Sequence, residues 1–275
     1  MQKDFNRILA LIDKSEAPDI YIKAAIEIAN TFDCNLQIIY CIGANNTEGN
    51  KKHKKCRTIN GQALLHTYRP ILNCRLLLDI HTTQSSVRSA ALRLSVKDKY
   101  GLILQWKKND SLISYLASMG RANMLSSSLR CPVLTLQQHT AIQNVRNIIL
   151  PVHKSLPANK LIIGIRLARF LEAKVHLVSV VNSNRTAPED SLFLKACHLL
   201  QNHGNIEVEC KMLKGLSFYQ AVMRYVIKVN VDIIVVCAGA RSMFPECFGL
   251  LFTSDAFHGL RRTMMTVPVE QMNIE

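Results

Sequence analysis

The sequence predicts an α/β protein of two tandem domains, each a mostly parallel five-stranded sheet with helices on both faces. Three observations predict it. Short apolar runs of strand length alternate with stretches of helical periodicity along the whole chain. Four segments recur in one order at nearly one period, the mark of an internal repeat. The two copies are joined by a short polar stretch at 137–146, QQHTAIQNVR.

The repeat opens with RILALIDKS at 7–15 and NIILPVHKS at 147–155, an offset of 140. Ala29, Leu36, Ile38 and Cys41 then fall opposite Ala168, Val175, Leu177 and Val180 at offset 139. YGLIL at 100–104 lies opposite VDIIV at 231–235, and CPVLTL at 131–136 opposite VPVEQM at 267–272. The domains are therefore expected at 1–138 and 144–275, packed through their last strands, because an unpaired strand edge invites association.

Each copy has the same grammar. A buried strand comes first, Ile8 to Ile12 or Ile148 to Val152. A helix follows, marked by Ala17, Ala24, Ala25, Ile28 and Ala29 in one copy and by Leu161, Ile162, Ile165, Ala168 and Phe170 in the other. The second strand is Leu36 to Ile42 or Val175 to Val181. A helix, a strand and a helix are expected at 58–68, 74–80 and 85–97, and again at 190–203, 206–213 and 217–229. A buried strand then runs from Leu102 to Trp106 or from Ile233 to Cys237. After a loop and a helix, the last strand is opened by Pro132 or Pro268, since proline is tolerated at the first residue of a strand. Strands alternating with helices make a Rossmann-like sheet whose ligand crevice lies beyond the carboxyl ends of the strands, where strand order reverses.

Composition narrows the function classes. Among 275 residues, 48% are hydrophobic and 20% charged, a globular balance. No run approaches the roughly 20 apolar residues of a membrane span, and the N-terminus lacks a secretory pattern, so a cytoplasmic protein is expected. Nine cysteines without a CxxC pair argue against a disulfide framework or a zinc site. The nine histidines do not converge, and no G-x-S-x-G, G-x-x-x-x-G-K-[S/T] or H-E-x-x-H motif occurs. No catalytic set and no metal site is expected. The net charge of +14, with a dense run from Lys51 to Arg57, attracts polyanions without specificity. With a single tryptophan and no aromatic RNA-reading pattern, specific nucleic-acid binding is not expected.

The order of elements, Asp13-Lys14-Ser15 at the opening and Cys131-Pro132-Val133-Leu134 at the close resemble the universal stress protein family, whose fold is that of the adenine nucleotide alpha hydrolases. Leu213-Lys214-Gly215 and Val231-Asp232-Ile233-Ile234-Val235 are similar to its turn into the third helix and its fourth strand. The resemblance implies a non-catalytic stress-response protein acting through protein partners, with the two copies as an intramolecular pseudo-dimer that is able to form a homodimer. Nucleotide-binding members carry G-x2-G-x9-G-[S/T] after the fourth strand. Its glycines let backbone N–H groups reach the phosphates, and its end opens a helix whose N-terminus favours anions.

Both copies depart from that pattern, in different ways. The first keeps Asp13 but has Trp106 and Asn109 at the first two glycine positions, leaving Gly120 as the last. The second has Gly239 but Ser242, Phe252 and Thr253 in place of the rest, and His153 in place of the aspartate. The nucleotide-contact candidates that the resemblance implies are Asp13, Cys41 and Gly120 in one copy and Val180, Gly239, Ser242 and Thr253 in the other. No cofactor is expected; ATP or AMP at a degenerate site is the alternative. Trp106 is expected to fill the mouth of the first crevice, packing against the helix near Met119.

Overall fold

The computed structural model describes residues 6–13, 18–41, 61–95, 99–106, 112–137, 141–152, 158–181, 188–202, 206–215, 217–238 and 262–268. The chain forms two compact units, Met1–Trp106 and Lys107–Glu275.

The first unit contains β1 (Arg7–Asp13), α1 (Pro18–Thr31), β2 (Asn35–Cys41), α2 (Gly61–Tyr68), β3 (Leu78–Thr83), α3 (Val87–Ser95) and β4 (Leu102–Trp106). Its strands are all parallel, in the order β3-β2-β1-β4. β1 and β4 are buried on both faces, as strands covered by crossover helices must be. α1 turns Tyr21, Ile22, Ala25, Ile26, Ile28 and Ala29 inward at helical spacing.

The third strand begins at Leu78 rather than at 74. Pro70 ends α2 in a short 3-10 turn, and the chain that follows is held by side chains instead of a ladder. Asn30 Nδ2 donates to the Ile71 carbonyl (3.2 Å), and Asn30 Oδ1 accepts from the Asn73 N–H (2.9 Å). Asn35 Oδ1 accepts from the Leu77 N–H (3.0 Å).

The second unit contains α4 (Leu112–Leu129), β5 (Val133–Leu136), β6 (Asn147–Pro151), α5 (Ala158–Leu171), β7 (Lys174–Val181), α6 (Pro188–Asn202), β8 (Val208–Lys214), α7 (Phe218–Lys228), β9 (Ile233–Ala238) and β10 (Thr263–Pro268). The strand order is β5-β10-β9-β6-β7-β8. All neighbours are parallel except β5 and β10, the last strands of the two repeats, which pair antiparallel. The compact division therefore falls at Trp106, earlier than the end of the first repeat. β5 pairs with β10, and the Ser126 hydroxyl of α4 donates to the Thr266 carbonyl, tying α4 to the same strand.

Pro268 closes β10 rather than opening the last strand. The fully buried run Thr263–Val267 carries the ladder, and proline falls where its missing donor is least needed. The stretch read as a polar linker is also partly core. Ile142 and Val145 are buried, and the Arg146 and Asn147 N–H groups donate to Asp232 Oδ2 at 2.8 and 2.9 Å. Asp232 is thus a structural anchor for the start of β6.

The repeat extends to backbone detail. Gly101 N–H donates to the Arg7 carbonyl and Asp232 N–H to the Asn147 carbonyl, both at 2.9 Å. α1 and α5 end alike, with Asp33 (φ 48°) and Glu172 (φ 50°) left-handed and six-to-one bonds from Cys34 to Ala29 and from Ala173 to Ala168 at 3.0 Å. This is the Schellman ending, built here without glycine.

Candidate functional site

In the first unit, strand order reverses between β1 and β4. Asp13, Cys41 and Trp106 are the last residues of β1, β2 and β4, at the same carboxyl edge of the parallel sheet. Asp13 and Cys41 are register partners. Trp106 and Tyr21, near the start of α1, are both buried, and their rings pack at a tilt with centroids 5.5 Å apart. Two aromatic rings therefore occupy the switch point where an open crevice would admit a ligand. The ring partner of Trp106 within the first unit is Tyr21. Met119 is buried in a core cluster of the second unit with Ile234 and Met264.

The Cys41 thiol is pushed up to about 11, chiefly by burial and further by the Asp13 charge. Burial likewise raises Cys131 to about 12 and Cys197 to about 12. These sulfurs stay protonated and behave as small core hydrophobes. Among the described residues the seven cysteines are in no disulfide, and no cluster of histidine, cysteine or carboxylate side chains could hold a metal.

Gly120 is placed in the interior of α4, eight residues beyond Leu112, and a Cβ added there would meet nothing within 4 Å. It neither opens a helix nor permits a close approach, so the phosphate-loop role has no geometric support at this residue. Gly120→Ala is expected to raise stability by about 0.5–1 kcal/mol through helix propensity, read as a shift in the denaturant midpoint. A loss of stability would show that the glycine has a role the packing does not reveal.

In the second unit the reversal falls between β6 and β9. Gly239, Ser242 and Thr253, and with them His153, lie outside the described residues. Val180 is half-buried near the end of β7, and Gly215 approaches it closely enough that an added Cβ would lie 3.8 Å from Val180 Cγ1.

A residue not singled out from sequence stands at this switch point. Lys160, on the first turn of α5, is buried at 3% exposure, and its Nζ donates to the carbonyl of Pro151, the last residue of β6, at 2.5 Å. By the repeat offset of 139 it is the counterpart of Tyr21. The counterpart of Trp106, at offset 131, is the much smaller Cys237. Where the first copy has two aromatic rings, the second has an ammonium and a thiol.

At the opposite, amino end of β6 and β7 lies a buried polar group of structural character. His176 Nε2 is 3.1 Å from Asn147 Oδ1, and Nδ1 is 3.0 Å from the Tyr225 hydroxyl. Burial lowers the His176 pKa, outweighing the opposing pull of Glu209. Glu209 is engaged by Lys174 at 2.9 Å, which holds its carboxyl below the usual range.

No protein-family model and no curated protein sequence matches this chain. Solved structures do. A universal stress protein from Archaeoglobus fulgidus superposes with a TM-score of 0.68 at 11% identity, covering 98% of this chain and 97% of its own. A functionally unknown protein from Pseudomonas aeruginosa does so with a TM-score of 0.62 at 15% identity, covering 97% and 94%. The fold of this chain is that of the universal stress proteins, over almost its whole length. Among the described residues no helix is long and apolar enough to cross a membrane.

Proposed function

We propose that this chain is a tandem universal stress protein-like protein that works in the cytoplasm by binding protein partners, without catalysis and without ATP held through the usual loop. The observation that carries the reading is the Trp106–Tyr21 ring pair at the carboxyl edge of β1 and β4. Phosphate loops draw affinity from several backbone N–H groups converging on one anion, which requires backbone free of bulky side chains. An indole packed at a tilt against a phenol at that place opposes it. The repeats, 1–138 and 144–275, act as an internal pseudo-dimer through the antiparallel pairing of β5 with β10.

A second reading, an ATP- or AMP-binding regulator, is favoured by Lys160. Its ammonium is buried on the Pro151 carbonyl beside the second switch point, and the repeat gives this copy Cys237 where the first has Trp106. Calorimetric titration with ATP and AMP separates the two. The first reading expects no crevice binding that survives high salt, because the screening length falls from roughly 10 Å at 0.1 M to roughly 3 Å at 1 M and nonspecific attraction fades with it. Saturable micromolar binding that persists at high salt and is lost in Lys160→Met would overturn the first reading and establish the second.

A further inference from the structure

Away from both switch points, a pocket of about 240 Å³ opens between β8, the outermost strand of the second unit, and α7. We propose that it binds a compact polyanion, a small molecule bearing two or more phosphate groups.

Four cationic side chains line it: Lys211 and Lys214 from β8, and Arg224 and Lys228 from α7. Among the described residues no carboxylate does. On β8, strand alternation gives Lys211 the face of Glu209 and Leu213, while Lys214, three residues on, lines the pocket at the carboxyl end of the strand beside Gly215. Arg224 and Lys228 are one helical turn apart on one face of α7. Like charges at that helical spacing repel, and α7 contains no acidic residue to relieve them.

The acid that does stand nearby is already committed. Glu209 on β8 pairs with Lys174 at 2.9 Å and accepts from the Tyr225 hydroxyl at 3.3 Å. Among the described residues, no ion pair is formed by Lys211, Lys214, Arg224 or Lys228. Lys211 is instead steered over the Tyr225 ring, 5.6 Å from its centroid, which fixes one wall of the pocket. At the other wall Ser217 precedes α7 without making a side-chain cap, so its hydroxyl is not spent on the helix.

A concentration of one charge sign in a concave site focuses the potential and recruits the opposite sign. The guanidinium offers a planar fork and the ammonium groups offer point charges, the combination suited to phosphate oxygens. The size favours a small ligand over a nucleic-acid duplex, whose backbone would need a long basic track.

The test uses the full chain and sodium tripolyphosphate, followed by calorimetry at roughly 0.15 M salt, where the screening length is about 8 Å. One saturable site with micromolar affinity is expected. Lys214→Gln combined with Arg224→Gln should weaken it by about tenfold or more, since charge-assisted hydrogen bonds are the strong ones. Lys51→Gln combined with Lys52→Gln removes the same charge from elsewhere and should leave binding unchanged, as should Lys160→Met at the crevice. ATP binding as tightly as tripolyphosphate, with the same sensitivity to the pocket variant, would assign recognition to the phosphates of a nucleotide. Tripolyphosphate binding while ATP does not would assign it to the free oligophosphate. Unaltered melting temperatures of the Gln variants exclude loss of fold. The proposal is overturned by the absence of a saturable site, by equal weakening in both double variants, or by single-stranded RNA displacing tripolyphosphate at much lower concentration. Because Lys160→Met tests the crevice and the Lys214/Arg224 pair tests the pocket, failure here is distinct from failure of the crevice reading.

Discussion

Trp106→Gly is expected to destabilise the first unit by about 3–5 kcal/mol, the cost of truncating a large buried aromatic when its surroundings cannot collapse. Trp106 is only 8% exposed and its ring lies against Tyr21, itself buried. The vacated volume lies at the carboxyl edge of β4, beside β1, where the sheet changes direction. Because Trp106 is the only tryptophan, its fluorescence disappears with it and unfolding should be followed by far-ultraviolet circular dichroism. Trp106→Phe should recover part of the loss. A silent Trp106→Gly would remove the basis for calling the first crevice closed.

Gly164→Ala is expected to cost about 1–3 kcal/mol, as overpacking of a filled core does. In an ordinary helix interior the same change would stabilise, by about 1 kcal/mol. Here a Cβ would fall 2.7 and 2.8 Å from the two δ-methyl carbons of Leu150 on β6, which is fully buried. The corresponding residues of the first repeat are Ala25 and Ala10, so a small–small pair on one side answers a large–none pair on the other. Leu150→Val in the Gly164→Ala background should therefore recover stability, a positive coupling that thermal or denaturant melts of the four variants would measure. Independent, additive losses would show that α5 and β6 adjust freely. The contrast with Gly120→Ala, where open space predicts a gain, isolates the contact from helix propensity.

What the sequence made legible was the set of strands buried on both faces. β1, β6 and β9 are apolar runs broken at most at their ends, and the interiors of β2, β4 and β7 are apolar but for Gln37, Gln105, and His176 with Ser179; helices cover the sheet, and such runs are readable without partners. β3 and β10 were misplaced for separate reasons. The backbone before β3 is satisfied by Asn30 and Asn35, residues more than 40 positions away in sequence from the groups they bond. At β10, alignment on a shared proline was misleading, because Pro132 precedes β5 whereas Pro268 is the last residue of β10.

The sites were less legible than the strands. Asp13, Cys41 and Trp106 were nominated from the repeat and the family resemblance, and the structure places each at the end of a strand. Lys160 was passed over because lysine in a helix ordinarily marks the solvent face, and only the fold shows it turned onto the Pro151 carbonyl. Gly120 is the opposite case. A glycine is conspicuous in sequence, yet this one sits inside α4 with nothing pressing on it.

The pairing of β5 with β10 has a bearing on how the two halves could drift apart. In a symmetric homodimer joined by such strands, every substitution appears twice and each residue must suit its own image. In this chain Val133 faces Thr266, Leu134 faces Met265 and Thr135 faces Met264, so no position answers to itself. Covalent linkage also replaces encounter between free molecules with a high local concentration of one strand about the other. Dilution cannot then separate the pair, and neither strand must retain the self-matching surface that a homodimer demands. One repeat is thereby free to carry a pair of aromatic rings at its strand ends while the other carries a buried amine at the equivalent position.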